Sequence, residues 1–106
     1  MAVAVHPSPA RRGVILTVDD CPTTRAWICA ALEALGYQVQ AVDNGPDALA
    51  AAAQQAFDAI VLDVEMPGVD GMAVGRALRQ HPRTAHTKIA MHSGLDEAQV
   101  RAGFSQ

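Results

Sequence analysis

Three aspartates, Asp19, Asp20 and Asp63, are the side chains of this sequence best placed to do chemistry together. In Ile60–Gly71 (IVLDVEMPGVDG) an apolar run ends in Asp63, followed by Pro67-Gly68 and a second turn at Asp70–Gly71. A buried strand that delivers one acid to its carboxyl end, with a sharp loop behind it, is how open α/β sheets present a reactive group. Val14–Asp20 (VILTVDD) repeats the pattern with a β-branched apolar run ending in two carboxylates. If the two strands lie side by side, three carboxylates share one crevice. They repel one another unless a hard cation sits among them, and that implies Mg2+. A carboxylate held there is a competent nucleophile toward phosphorus and gives an acyl phosphate. Because that reaction brings two anions together, it also needs a cation to neutralise and align them.

The elements that must position these acids follow from the periodicity. Met1–Arg12, with Pro7 and Pro9 and no repeat of apolar positions, reads as a flexible leader, and residues 13–106 as one domain. Val14–Val18 is a buried strand. Pro22 suits the first turn of a helix running to about Leu35, with Ile28, Leu32 and Leu35 on one stripe and Trp27, Ala31 and Ala34 beside it. Gly36 stops it. Gln38–Val42 alternates in polarity, as expected near a sheet edge. Asn44-Gly45-Pro46 opens a second helix, with Asp47 complementing its dipole and Ala48, Leu49, Ala52 and Ala56 on its buried face. Ala59–Leu62 is the continuous apolar run of a central parallel strand. Asp70 caps a third helix with apolar face Val74, Ala77 and Leu78, ended by His81-Pro82. Lys88–His92 reads as a fourth strand and Asp96–Ala102 as a fourth helix, stopped by Gly103. Four strand–helix units predict an α/β fold with a doubly wound parallel sheet.

Composition narrows the function. Half of the 106 residues are apolar, enough for a core in a single domain. A net charge of −3 argues against nucleic acid as a direct partner. No apolar run approaches the roughly 18–20 residues that span a bilayer, and the N-terminus, with no charged region followed by an apolar segment, is not expected to be a signal peptide. Cys21 and Cys29 have neither metal nor CxxC spacing, which fits a reducing cytoplasm; Cys29 falls in the apolar helical pattern and Cys21 on the partly exposed side. His6, His81 and His86 carry no ligand spacing, and His92 reads as a half-buried strand residue. Met66 and Met72 read as packing.

Taken in order, Asp19–Asp20, Asp63 with Met66-Pro67-Gly68 and Asp70-Gly71, and Ser93-Gly94 resemble the receiver domain of bacterial response regulators, over about Val14 to Gln106. The resemblance implies a flavodoxin-like sheet with strand order 2-1-3-4-5. It implies Asp63 as phosphoacceptor, Asp20 as a direct Mg2+ ligand, Asp19 as a ligand through water, and the Glu65 backbone carbonyl beside them. It also implies Ser93 as the switch residue that hydrogen-bonds the phosphoryl group, Gly94 as the small residue that leaves room for it, and Glu65 and Leu95 as positions that tune phosphate lifetime. The implied donor is a histidine kinase or a histidine phosphotransfer protein. The output is contact with a further protein, and any activity is limited to slow self-phosphorylation and self-dephosphorylation. Gln106 falls near where the family's fifth strand begins, so the family's lysine, switch aromatic and last helix are expected to be missing; Lys88 lies at the wrong end of its strand to substitute. The fourth strand is then expected to be an open edge that supports self-association. Other readings are a phosphorylation-independent pseudo-receiver and, from the Asp63-Val-Glu65 echo, a phosphohydrolase of the haloacid dehalogenase type. Asp19–Asp20 ahead of Pro22, and Ser93 three residues before Asp96, also read as helix caps.

Overall fold

A computed structural model describes residues 12–66 and 69–92. In chain order these form β1 (Gly13–Val18), α1 (Pro22–Ala34), β2 (Tyr37–Val42), α2 (Gly45–Gln54) and β3 (Ala59–Asp63), then the two-residue strands β4 (Glu65–Met66) and β5 (Val69–Asp70), α3 (Gly71–Gln80) and β6 (Lys88–His92). The main sheet has the order β2-β1-β3-β6 and every pairing in it is parallel. The expected leader as far as residue 11, Pro67, Gly68, Ser93, Gly94, Leu95 and the expected helix at Asp96–Ala102 lie outside the described residues.

Alternation along β1 and β3 sends side chains to two faces. Leu16, Val18, Ile60 and Leu62 pack with Ala48, Ala51 and Ala52 of α2 and Val74 and Leu78 of α3. On the other face Ile15, Ala59 and Val61 meet Ile28, Ala31 and Leu32 of α1, with Trp27 and Leu35 packed at the margin. All five residues of β3 are buried, as befits the strand covered on both faces. The mixed-polarity strand β2 is indeed at an edge. Among the described residues β6 is the other outer strand, and its Met91 is exposed.

The helix starts follow their caps. Asn44 accepts from the Asp47 N–H at 2.8 Å and Pro46 sits in the first turn of α2. Asp70 accepts from the N–H groups of Met72 (3.0 Å) and Ala73 (3.2 Å) to start α3. Gly36, at φ +99°, takes the chain out of α1 in the left-handed region.

Three expectations need correction. Ala56 is exposed, because α2 ends at Gln54 before its period returns to the core; Ala51 takes the buried place instead. Ala34 is exposed at the last turn of α1. The segment after Asp63 is a small antiparallel ladder, Glu65 opposite Asp70 and Met66 opposite Val69, where the sequence suggests only a sharp loop.

Candidate functional site

β1 and β3 run parallel with Val18 opposite Leu62, so Asp19 and Asp63 emerge one position further on, side by side at the carboxyl end of the sheet. Asp20 follows on the turn into α1. One carboxylate oxygen from each of the three lies within 4.8 Å of the other two. Asp19 is 1% exposed and Asp63 8% exposed, while Asp20 faces solvent. The sequence expectation that these three acids converge is met.

Short local bonds hold them. Asp19 N–H donates to the Val42 carbonyl (3.1 Å), and Asp19 Oδ1 accepts from the Cys21 N–H (2.9 Å). The Arg25 guanidinium donates to the Asp19 carbonyl (2.8 Å), which pins the β1–α1 turn from the first turns of the helix. Asp63 Oδ1 accepts from the Glu65 N–H (2.8 Å), and Val64 N–H donates to the His92 carbonyl (2.9 Å), so the loop is tied to β6. The start of α3 presses on that loop. A Cβ on Gly71 would stand 2.4 Å from Val64 Cα and 3.0 Å from the Asp63 carbonyl oxygen, so the close approach needs glycine.

Electrostatically the site is overloaded. The Asp19 carboxyl is raised above its ordinary range, first by burial, then by the charges of Asp63 and Asp20; the Cys21 N–H and the charge of His92 act in the opposite sense. Asp19 Oδ2 is buried and has no hydrogen-bond partner among the described residues. A buried carboxylate oxygen left without a donor is costly. Here it stands beside two other carboxylates, a donor set that suits a hard divalent cation.

Among the residues expected at the site, Glu65 stands at the start of β4 with an exposed side chain and its N–H engaged by Asp63. Ser93 and Gly94 are outside the described residues. The capping reading of the acidic pair is corrected in detail: Cys21 is the N-cap of α1, and Asp19 bonds to the N–H of that cap, not to the first turn. Cys21 is exposed and Cys29 half-buried, less enclosed than its apolar setting suggests. His92 departs from its expectation as well. It is only 7% exposed, and it is the register partner of Asp63 across β3 and β6. The available signal was positional: Asp63 and His92 each close an apolar strand.

Residues 15–105 match the family profile of the response regulator receiver domain. The chain is 43% identical over 82 residues to the response regulator PleD of Caulobacter vibrioides, a match covering 77% of this chain and 18% of PleD. It therefore spans less than a fifth of that relative. Among solved structures it is similar to the receiver domain of a sensor histidine kinase from Pseudomonas aeruginosa PAO1, solved with a magnesium ion coordinated in its active site cleft. The TM-score is 0.76 at 25% identity, covering 85% of this chain and 92% of that one. It is also similar to a chain in the complex of the histidine kinase ThkA with the response regulator TrrA, with a TM-score of 0.69 at 31% identity, covering 78% of this chain and 70% of that one.

Proposed function

The chain belongs to the response regulator receiver family, and from that premise we propose that Asp63 accepts a phosphoryl group, with Mg2+ held by its acidic neighbours, and that the modified domain signals through contacts with another protein. The observation that carries this reading is the convergence of Asp19, Asp20 and Asp63, with one buried Asp19 oxygen left without a hydrogen-bond partner among the described residues.

The side chains divide the work. The Glu65 N–H holds Asp63 Oδ1 and so fixes the carboxylate plane, leaving Oδ2 as the attacking oxygen. An oxygen–phosphorus bond forms at Oδ2 as the donor's phosphorus–nitrogen bond breaks. The donor imidazole leaves with that electron pair and is protonated from solvent. Asp20, Asp19 and Asp63, with the Glu65 carbonyl, would hold the cation. Mg2+ supplies charge neutralisation where carboxylates and phosphoryl oxygens meet. Burial of Asp19 and Asp63 at the carboxyl ends of their strands limits the water that competes for the acyl phosphate. Ser93 supplies the switch hydroxyl in this reading.

The donor is a histidine kinase or a histidine phosphotransfer protein. A receiver is a signalling domain, and Asp63 is the group modified, not a group that turns over an external substrate. Exposed Asp20 at the rim leaves the acidic crevice open to a partner's phosphohistidine.

Incubation with acetyl phosphate and Mg2+, followed by intact and peptide mass spectrometry, tests the assignment. One added phosphoryl group mapping to Asp63, absent in Asp63→Ala, is the expected result. A stable adduct that persists in Asp63→Ala would place the chemistry on another residue.

A further inference from the structure

The carboxyl ends of β1, β3 and β6 set Asp19, Asp63 and His92 in one row, because Val18 pairs with Leu62 and Asp63 with His92. Asp63 is in the middle. On its β1 side stand two further carboxylates; on its β6 side stands an imidazole. We propose that His92 is a phosphoryl-binding side chain, whose ring N–H donates a hydrogen bond to an oxygen of a phosphoryl group on Asp63.

Four observations support this, and all rest on Asp63 being the phosphoacceptor. First, the ring is more than nine-tenths buried at the end of a strand whose neighbours are Ile89, Ala90 and Met91. Second, alternation along β6 puts His92 on the face of Ala90, which packs with Val61 and α1; the next row up on that face is Asp19 and Asp63. Met91 is directed to the opposite face, where its methyl meets Gly75 of α3. Third, the charge of His92 acts on Asp19 in the sense opposite to burial, in keeping with its place in the same row of strand ends. Fourth, a phosphoryl group adds close to two negative charges and three acceptor oxygens beside Asp63. Among the described basic side chains, Arg25 is committed to the Asp19 carbonyl and faces a polar groove of about 240 Å³ with Asp43 and Asp47 on the β2 side. Lys88 is at the other end of β6, opposite Ala59. His92 is the donor on the side of Asp63 away from the acidic pair. An imidazole carries at least one N–H in either protonation state, so the role holds in both.

Beryllofluoride with Mg2+ is the probe, followed by 19F NMR of the adduct in the wild type, His92→Leu and His92→Asn. The Mg2+ affinity of each is measured separately from the amide resonances of Asp19, Asp20 and Asp63. Loss of one hydrogen bond to a charged group predicts about a tenfold weaker beryllofluoride adduct in His92→Leu. Partial recovery in His92→Asn is expected, which restores a donor but not an aromatic ring, with Mg2+ affinity unchanged within about threefold. The wild-type imidazole 15N resonances should shift on adduct formation, and this reading decides the matter if His92→Leu does not fold. An adduct as tight in His92→Leu as in wild type, or ring resonances that do not move, overturns the proposal. Failure of the wild type to form any adduct at Asp63, together with inertness to acetyl phosphate, overturns the phosphoacceptor reading beneath it.

Discussion

At the amino ends of the strands, Asp58 gives its carboxylate to the backbone: Oδ2 accepts the Val14 N–H at 2.7 Å, and its own N–H donates to the Val14 carbonyl at 2.8 Å. At the carboxyl ends, Asp19 is more deeply buried than Asp58, yet one of its oxygens has no partner among the described residues. The loop from α3 to β6 belongs to the first kind. Arg79 donates to the carbonyls of Thr84 (3.3 Å), Ala85 (3.2 Å) and Thr87, and the buried Thr84 hydroxyl donates to the Leu78 carbonyl. One end of the sheet satisfies its polar groups internally, so it serves the fold. The other end concentrates like charges and leaves a carboxylate oxygen open, so it is matched to something the described residues do not supply.

The largest expected effect breaks the first end. Arg79→Ala removes one guanidinium from three carbonyls of the 81–87 loop. Hydrogen bonds to a charged group predict a loss of about 2 kcal/mol in urea unfolding. Because the loop is at the opposite end of β6 from His92, the stabilisation of the variant by Mg2+ should equal that of the wild type. A variant that lost both stability and the Mg2+ response would show that the two ends are not independent.

The opposite end predicts the opposite sign. The Asp19 carboxyl is raised from its ordinary value near 3.8, chiefly by burial. A raised acid pKa means that the folded chain prefers the protonated form. That contribution is fully present below the unfolded value and is lost as pH rises through the folded one. At neutral pH the ionised Asp19 is therefore a cost in the metal-free protein. Asp19→Asn keeps an oxygen for the Cys21 N–H and removes the charge. It should stabilise the metal-free chain by about 1 kcal/mol at pH 7, or roughly 4–8 °C in Tm. The advantage should shrink on going down toward pH 4, and the variant should gain little from Mg2+ that stabilises the wild type. A neutral-pH Tm below that of the wild type would mean that the acidic cluster is not strained.

The sequence shows the elements more clearly than their limits. Strong contrast between apolar and polar positions placed β1, β3 and α3 well, and Asp70 and Asn44 marked helix starts through their own hydrogen bonds. α2 was harder because Ala50–Ala53 is a run of alanines, so neither face stands out; Ala51 joins the cluster that holds Val74 and Leu78, while the helix stops at Gln54, short of Ala56. The β4–β5 ladder is too short to leave a period. The acidic triad was legible since each acid ends an apolar run. His92 was not, because its place depends on register across two strands 25 or more residues apart, which no single segment contains.

The smallest expected effect concerns reactivity rather than stability, and compares the open end of the sheet with the body of α1. Cys21 is exposed at the N-cap and forms no side-chain capping bond. Its thiol is nevertheless held below its ordinary range, chiefly by the neighbouring Thr24 side chain and then by the N–H groups of Thr24 and Thr23, with the charge of Asp19 opposing them. Cys29, two turns further on and half-buried, is pushed up by burial and by the charge of Glu33. The thiolate is the reactive form, so both exposure and charge favour Cys21. Ellman's reagent at pH 7.5 should modify Cys21 roughly ten times faster than Cys29 or more, as read by peptide mass spectrometry at early times. Mg2+ should quicken Cys21 slightly, because neutralising Asp19 removes the charge that opposes its thiolate. Equal rates for the two cysteines would mean that the first turn of α1 is not the exposed, donor-rich rim of the acidic site described here.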